Sequence, residues 1–107
     1  MRTGAEQRVA IKGKRIANRD EAEAFAIHAV GYLAGQEDGL ERFSSLTGIG
    51  IDEIRARIAD GDFLGAVLDY VLFDDKLVSD VAAAADLPPE AVLQARRLLP
   101  GYSPDYS

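Results

Sequence analysis

Between Phe63 and Phe73 the chain holds eleven residues, of which only Asp69 is charged and only Gly65 is otherwise neither apolar nor aromatic. Wound at 3.6 residues per turn, this stretch is hydrophobic nearly all round, and such a helix is stable in water only when other helices enclose it. Its eight large side chains are each worth about 1.5–3 kcal/mol when buried, a major share of the core of a small domain. The stretch therefore predicts an all-α fold. A central hydrophobic helix (63–73) sits in a compact bundle of five to six short helices, with Val67 and Leu68 dry and neighbours on nearly every side.

At 107 residues the chain is long enough for one domain with a real core. The absence of cysteine excludes disulfides, thiolate zinc sites and thiol catalysis. The longest apolar stretch is far short of the roughly 20 residues that span a bilayer, and Val9-Ala10-Ile11 is too short for the apolar segment of a signal peptide. These features predict a cytoplasmic protein. Charge is unevenly spread. Residues 1–19 carry Arg2, Arg8, Lys12, Lys14, Arg15 and Arg19 against Glu6 alone, a net of +5, whereas residues 20–107 carry six basic and seventeen acidic groups, a net of −11. A basic arm would favour phosphate backbones and an acidic body disfavours them.

Residues 1–17 lack sustained periodicity and contain Gly4 and Gly13, which predicts a flexible basic arm ahead of a single helical domain over 18–101 and a tail over 102–107. Asn18 is a fit N-cap for a helix to about Ala34, with Asp20, Glu21 and Glu23 complementing the helix dipole. Ala22, Phe25, Ala26, Ala29, Val30 and Leu33 supply its apolar face, extended by Ile27, Tyr32 and Ala34. Gly31 is expected to mark the close approach of another helix. Asp38 to Gly48 reads as a short helix with Leu40, Phe43 and Leu46/Thr47 on one face and Gly48 at its C′ position. Asp52 is expected to cap a third helix with Ile54 and Ile58 inward, and Asp60-Gly61-Asp62 to close it and cap the central one. A helix over 75–85 follows, then Pro89-Glu90 opens the last, where Arg96 and Arg97 suit the final turn.

Sliding the chain by 38 residues lays Phe43 on Val81, Thr47 on Ala85, Ile49 on Leu87, Asp52 on Glu90 and Ile54 on Val92. Each copy reads as a helix-turn-helix-like corner. The second helices project Pro88, Pro89, Glu90 and Gln94 in one copy and Gly50, Ile51, Asp52 and Ala56 in the other, few of them the Arg, Lys, Asn or Gln that read bases and phosphates. The corners are therefore expected to be structural.

Other motifs dissolve on inspection. Gly48-Ile49-Gly50 opens like a dinucleotide fingerprint, but Glu53 stands where the third glycine belongs. Asp60 to Gly65 opens like a calcium loop, but Leu64 and Val71 deny it oxygen ligands. The lone His28 lacks partners at metal-binding spacing and is expected on the helix surface or half-buried. Asp69 would be solvated on a polar stripe with Asp62 and Lys76; if buried it would need a donor such as an arginine. The first alternative is the expectation. No catalytic, cofactor or metal-binding residue is predicted.

Leu46-Thr47-Gly48, Asp62-Phe63-Leu64, Val67-Leu68-Asp69 and Leu87-Pro88-Pro89-Glu90-Ala91-Val92, with Ala95-Arg96 and Leu99-Pro100-Gly101, carry a resemblance. Over residues 22–101 the chain resembles a family of small, uncharacterised all-helical proteobacterial proteins, a domain of unknown function. The resemblance implies a fold and brings no activity, cofactor or site residue.

Together these features predict a non-enzymatic interaction module that binds another protein, or itself, through an exposed apolar patch, with Tyr32, Phe73 and Tyr102 as candidates for exposure. The alternative is nucleic-acid binding through Lys12, Lys14 and Arg15 of the arm, helped by Arg96 and Arg97. No membrane, cofactor or small-molecule substrate is expected.

Overall fold

A computed structural model describes residues 15–102. Among them lie six helices and no strand: α1 (Arg19–Ala34), α2 (Gly39–Thr47), α3 (Ile51–Ala56), α4 (Gly61–Leu72), α5 (Asp75–Ala84) and α6 (Glu90–Arg97). The first fourteen residues of the expected arm and the tail from residue 103 lie outside the described residues. Among the described residues the first buried one is Ile16, whose amide donates to Gln94 Oε1 of α6 at 2.9 Å.

The all-helical expectation holds, and α4 is its centre. Phe63, Leu64, Gly65, Val67, Leu68 and Val71 are buried, as only a helix set among others allows. Its main neighbours are α1, α5 and α6. Phe43 of α2 reaches the same core through edge-on contacts with Phe63 (6.2 Å between centroids) and Tyr70 (5.0 Å), the geometry that aromatic quadrupoles prefer. Enclosure is less complete than the sequence suggested. The helix ends at Leu72, and Asp62, Ala66, Asp69 and Phe73, spaced four, three and four apart, form one stripe toward solvent.

The helix ends follow from local chemistry. Asn18 Oδ1 accepts from the Glu21 amide at 2.9 Å, Asp60 Oδ1 from Asp62 at 2.9 Å, and Asp74 Oδ1 from Lys76 at 3.0 Å and Leu77 at 3.3 Å, so three helices start on side-chain caps. The residues that mimic a calcium loop are thus a helix start. Asp52 does not cap α3: extended Gly50 is the N-cap, the helix begins at Ile51, two residues earlier than an Asp52 cap implies, and Asp52 lies in its first turn. Pro89, expected at the first helical position of α6, is its N-cap with φ −56° and ψ −30°.

The two corners share a backbone device at positions 38 apart. Gly48 (φ 81°) and Asp86 (φ 60°) are both left-handed. At Gly48 the amide donates back to the Ser44 carbonyl at 2.9 Å, a single-bond ending. At Asp86 the amides of Asp86 and Leu87 donate to Ala83 and Ala82, the paired bonds of a Schellman ending, and Leu87 is buried beneath them. Phe43 with Val81 and Ile54 with Val92 are buried equivalents, so the repeat is a repeat of packing.

The glycines reverse an expectation. A Cβ at Gly31 would meet nothing within 4 Å, so that glycine marks no helix contact. The close approach is at Gly65, where a Cβ would stand 2.9 Å from Arg96 Nη1 and 3.1 Å from the Pro100 carbonyl oxygen. Ile27 and Ala34, expected to widen the α1 core face, are exposed, because α1 buries only the Ala22, Phe25, Ala26, Ala29 and Leu33 side.

Candidate functional site

Gly65 and Asp69 lie one turn apart on α4, and both face Arg96 of α6. The absent side chain at Gly65 leaves room for a guanidinium that is 6% exposed. Arg96 Nε donates to Asp69 Oδ1 at 2.7 Å and Nη2 to Oδ2 at 3.3 Å, a two-pronged pair of the kind the guanidinium plane favours. Nη1 donates to the carbonyls of Leu99 (3.3 Å) and Pro100 (3.1 Å), and the Tyr102 ring lies 5.9 Å from the guanidinium carbon. Arg96 thus ties the chain after α6 back onto α4.

This geometry corrects one expectation. Asp69 keeps 52% of its side chain in water but is not merely solvated, since it has an arginine partner. Arg96, named in the nucleic-acid reading, is buried, and its Nε, Nη1 and Nη2 all donate within the fold. Of the other residues in the nucleic-acid reading, Lys12 and Lys14 lie outside the described residues, while Arg15 and Arg97 are exposed at the end of the molecule where Ile16 meets α6. Gln94, a base-reading candidate of the second corner, accepts from that backbone.

The solvent-facing stripe of α4 forms a ridge between two clefts. On one side, Tyr32, Leu33, Gln36 and Glu37 at the end of α1, Arg42, Leu46 and Thr47 of α2, and Asp74, Leu77 and Asp80 bordering α5 enclose a groove of about 660 Å³ against Ala66, Asp69, Tyr70 and Phe73. On the other, Leu72 and Phe73 face Leu93, Arg96, Gly101 and Tyr102 across about 560 Å³. Phe73, at the C-cap of α4, is 89% exposed, and Leu46 across the groove is 72% exposed. Tyr32 and Tyr102, expected with Phe73 at the surface, are half-buried. The groove rim is mostly acidic. Asp80 accepts from Lys76 Nζ at 2.7 Å, and that hydrogen bond, followed by the carboxylate charge, raises the Lys76 ammonium above its ordinary range.

His28 is half-buried, as expected: its Nε2 lies 3.1 Å from the Val81 carbonyl, which fixes the Nε2–H tautomer as donor from α1 to α5. Thr47 pins the first corner, its hydroxyl donating to the Phe43 carbonyl at 2.7 Å and accepting from the Ile49 amide at 3.2 Å. Sequence reasoning missed the Asp69–Arg96 pair and the groove wall at Leu46. For the pair there was a signal: a glycine and a lone acid one turn apart in an otherwise apolar helix mark the seat of a bulky cation.

These features define a small all-helical domain with one core and a broad grooved face beside its central helix. The chain belongs to a protein family of unknown function (DUF3572), whose family model matches residues 19–102. No match is found among curated proteins or among solved structures. Among the described residues, no helix is long and apolar enough to cross a membrane.

Proposed function

We propose that the chain is a non-catalytic interaction module whose groove beside Phe73 receives a segment of another protein. The observation that carries this reading is the clustering of exposed apolar residues. Leu46, Phe73 and the half-buried Tyr70 and Leu77 line one groove, and Leu93 and Tyr102 continue the apolar surface over the ridge. Phe73 is a large aromatic held at a helix end with almost nothing covering it, the kind of anchor that dominates binding energy at interfaces. The rim favours a partner segment that carries basic side chains beside its apolar ones, because Glu37 and Asp74 border the groove beside Arg42, while Asp69 and Asp80 are paired with Arg96 and Lys76.

The test is purification of the tagged full chain from its native cell, with and without nuclease, beside a Phe73→Ser variant. The reading expects a nuclease-resistant protein that is lost with Phe73→Ser and whose cross-linked contact segment is basic and apolar. Recovery of the same proteins by both forms, or of nucleic acid alone, contradicts it.

A further inference from the structure

We infer that the Phe73 groove is also the docking place of the chain's own basic N-terminal segment, Arg2–Lys14, which makes that segment an internal competitor for the partner; the inference rests on the reading of the groove given above. Charge is the first support. The segment carries Arg2, Arg8, Lys12 and Lys14 against Glu6, whereas residues 20–107 carry a net −11. At the groove, Asp69 and Asp80 already have basic partners in Arg96 and Lys76, which leaves Glu37 and Asp74 facing Arg42. The second support is pattern. Val9-Ala10-Ile11 is bracketed by Arg8 and Lys12, so a short apolar piece with a cation on each flank meets an apolar floor with an acidic rim. The third is reach. Ile16 is fixed to α6 through Gln94, and Val9-Ala10-Ile11 lies five to seven residues ahead of it, about 17–25 Å of extended chain at 3.3–3.6 Å each. The molecule measures 40 × 33 × 25 Å, so that piece can travel more than half of the longest dimension from its anchor.

The chain has no cysteine, so Ala5→Cys gives a single attachment point for a nitroxide on the full-length protein. With the backbone labelled with nitrogen-15, the amides of Leu46, Tyr70, Phe73 and Leu77 are expected to lose signal at low salt. The loss should be unchanged on dilution and reversed in 1 M salt, where the Debye length falls to about 3 Å. Phe73→Ser, at an exposed position outside the core, should also reverse it. Unaffected groove amides, or a loss indifferent to Phe73→Ser, overturn the inference. So does a loss that vanishes on dilution and reappears on a nitroxide-free nitrogen-15 copy mixed with a nitroxide-bearing copy that lacks nitrogen-15, which assigns the groove to a second molecule's segment. Groove amides that keep their signal while Phe73→Ser still abolishes partner capture sink this inference alone. Partner capture indifferent to Phe73→Ser sinks the reading beneath it, whatever the nitroxide reports.

Discussion

At the scale of single residues, the two mid-helix glycines Gly31 and Gly65 should respond with opposite signs. Gly31→Ala adds a methyl that meets nothing and removes backbone freedom from the unfolded chain, so it should stabilise by about 0.4–1 kcal/mol. Gly65→Ala sets a methyl against Arg96 and the Pro100 carbonyl and should destabilise by about 1–3 kcal/mol; urea unfolding of both variants checks the pair. Asp69→Ala leaves a buried guanidinium without its counter-charge. It should cost about 1.5–3 kcal/mol, the range for hydrogen bonds to charged groups, and more than Asp80→Ala at the solvent-screened Lys76 pair. The same unfolding curves rank the two. Sequence alone assigned the helix contact to Gly31 and made no reading of Gly65, because glycine in a helix reports that something is missing and cannot say what fills the space. Asp69 was read as solvated because its partner comes from 27 residues away, a distance over which periodicity carries no information.

At the scale of elements, the sequence was legible wherever the cause is local. Asn18, Asp60 and Asp74 each cap the helix that follows them, and the 38-residue repeat located both corners before any coordinates. The exception, Asp52, shows the limit. An acid before an apolar run fits both the cap and the first turn, and Gly50 took the cap because α3 starts two residues early. Asp74→Ala, which removes an acceptor for two amides, is therefore predicted to cost about 1 kcal/mol, and Asp52→Ala to fall within about 0.5 kcal/mol of the parent; thermal melts of the two variants decide it. The exposed sides of α1, α2 and α6 were not legible, since Ile27, Leu46 and Leu93 fit the apolar periodicity of their helices and yet face water. Hydrophobic spacing marks what can be buried and cannot show where neighbouring helices run out.

At the scale of the whole molecule, α4 does two jobs with one sequence. Its Phe63, Leu64, Val67, Leu68 and Val71 side holds the core, and its Asp62, Ala66, Asp69 and Phe73 side forms the grooved face. The separation is testable. Leu68→Ala should cost about 2–5 kcal/mol, while Phe73→Ser should stay within about 0.5 kcal/mol of the parent, so only the second can alter binding without altering the fold. The most direct measurement places a photoreactive phenylalanine analogue at position 73 in the living cell, with a control at exposed Ile27 of α1. The account predicts a discrete protein adduct at 73 that the control position does not form. No adduct at 73, or one shared equally with position 27, would contradict it.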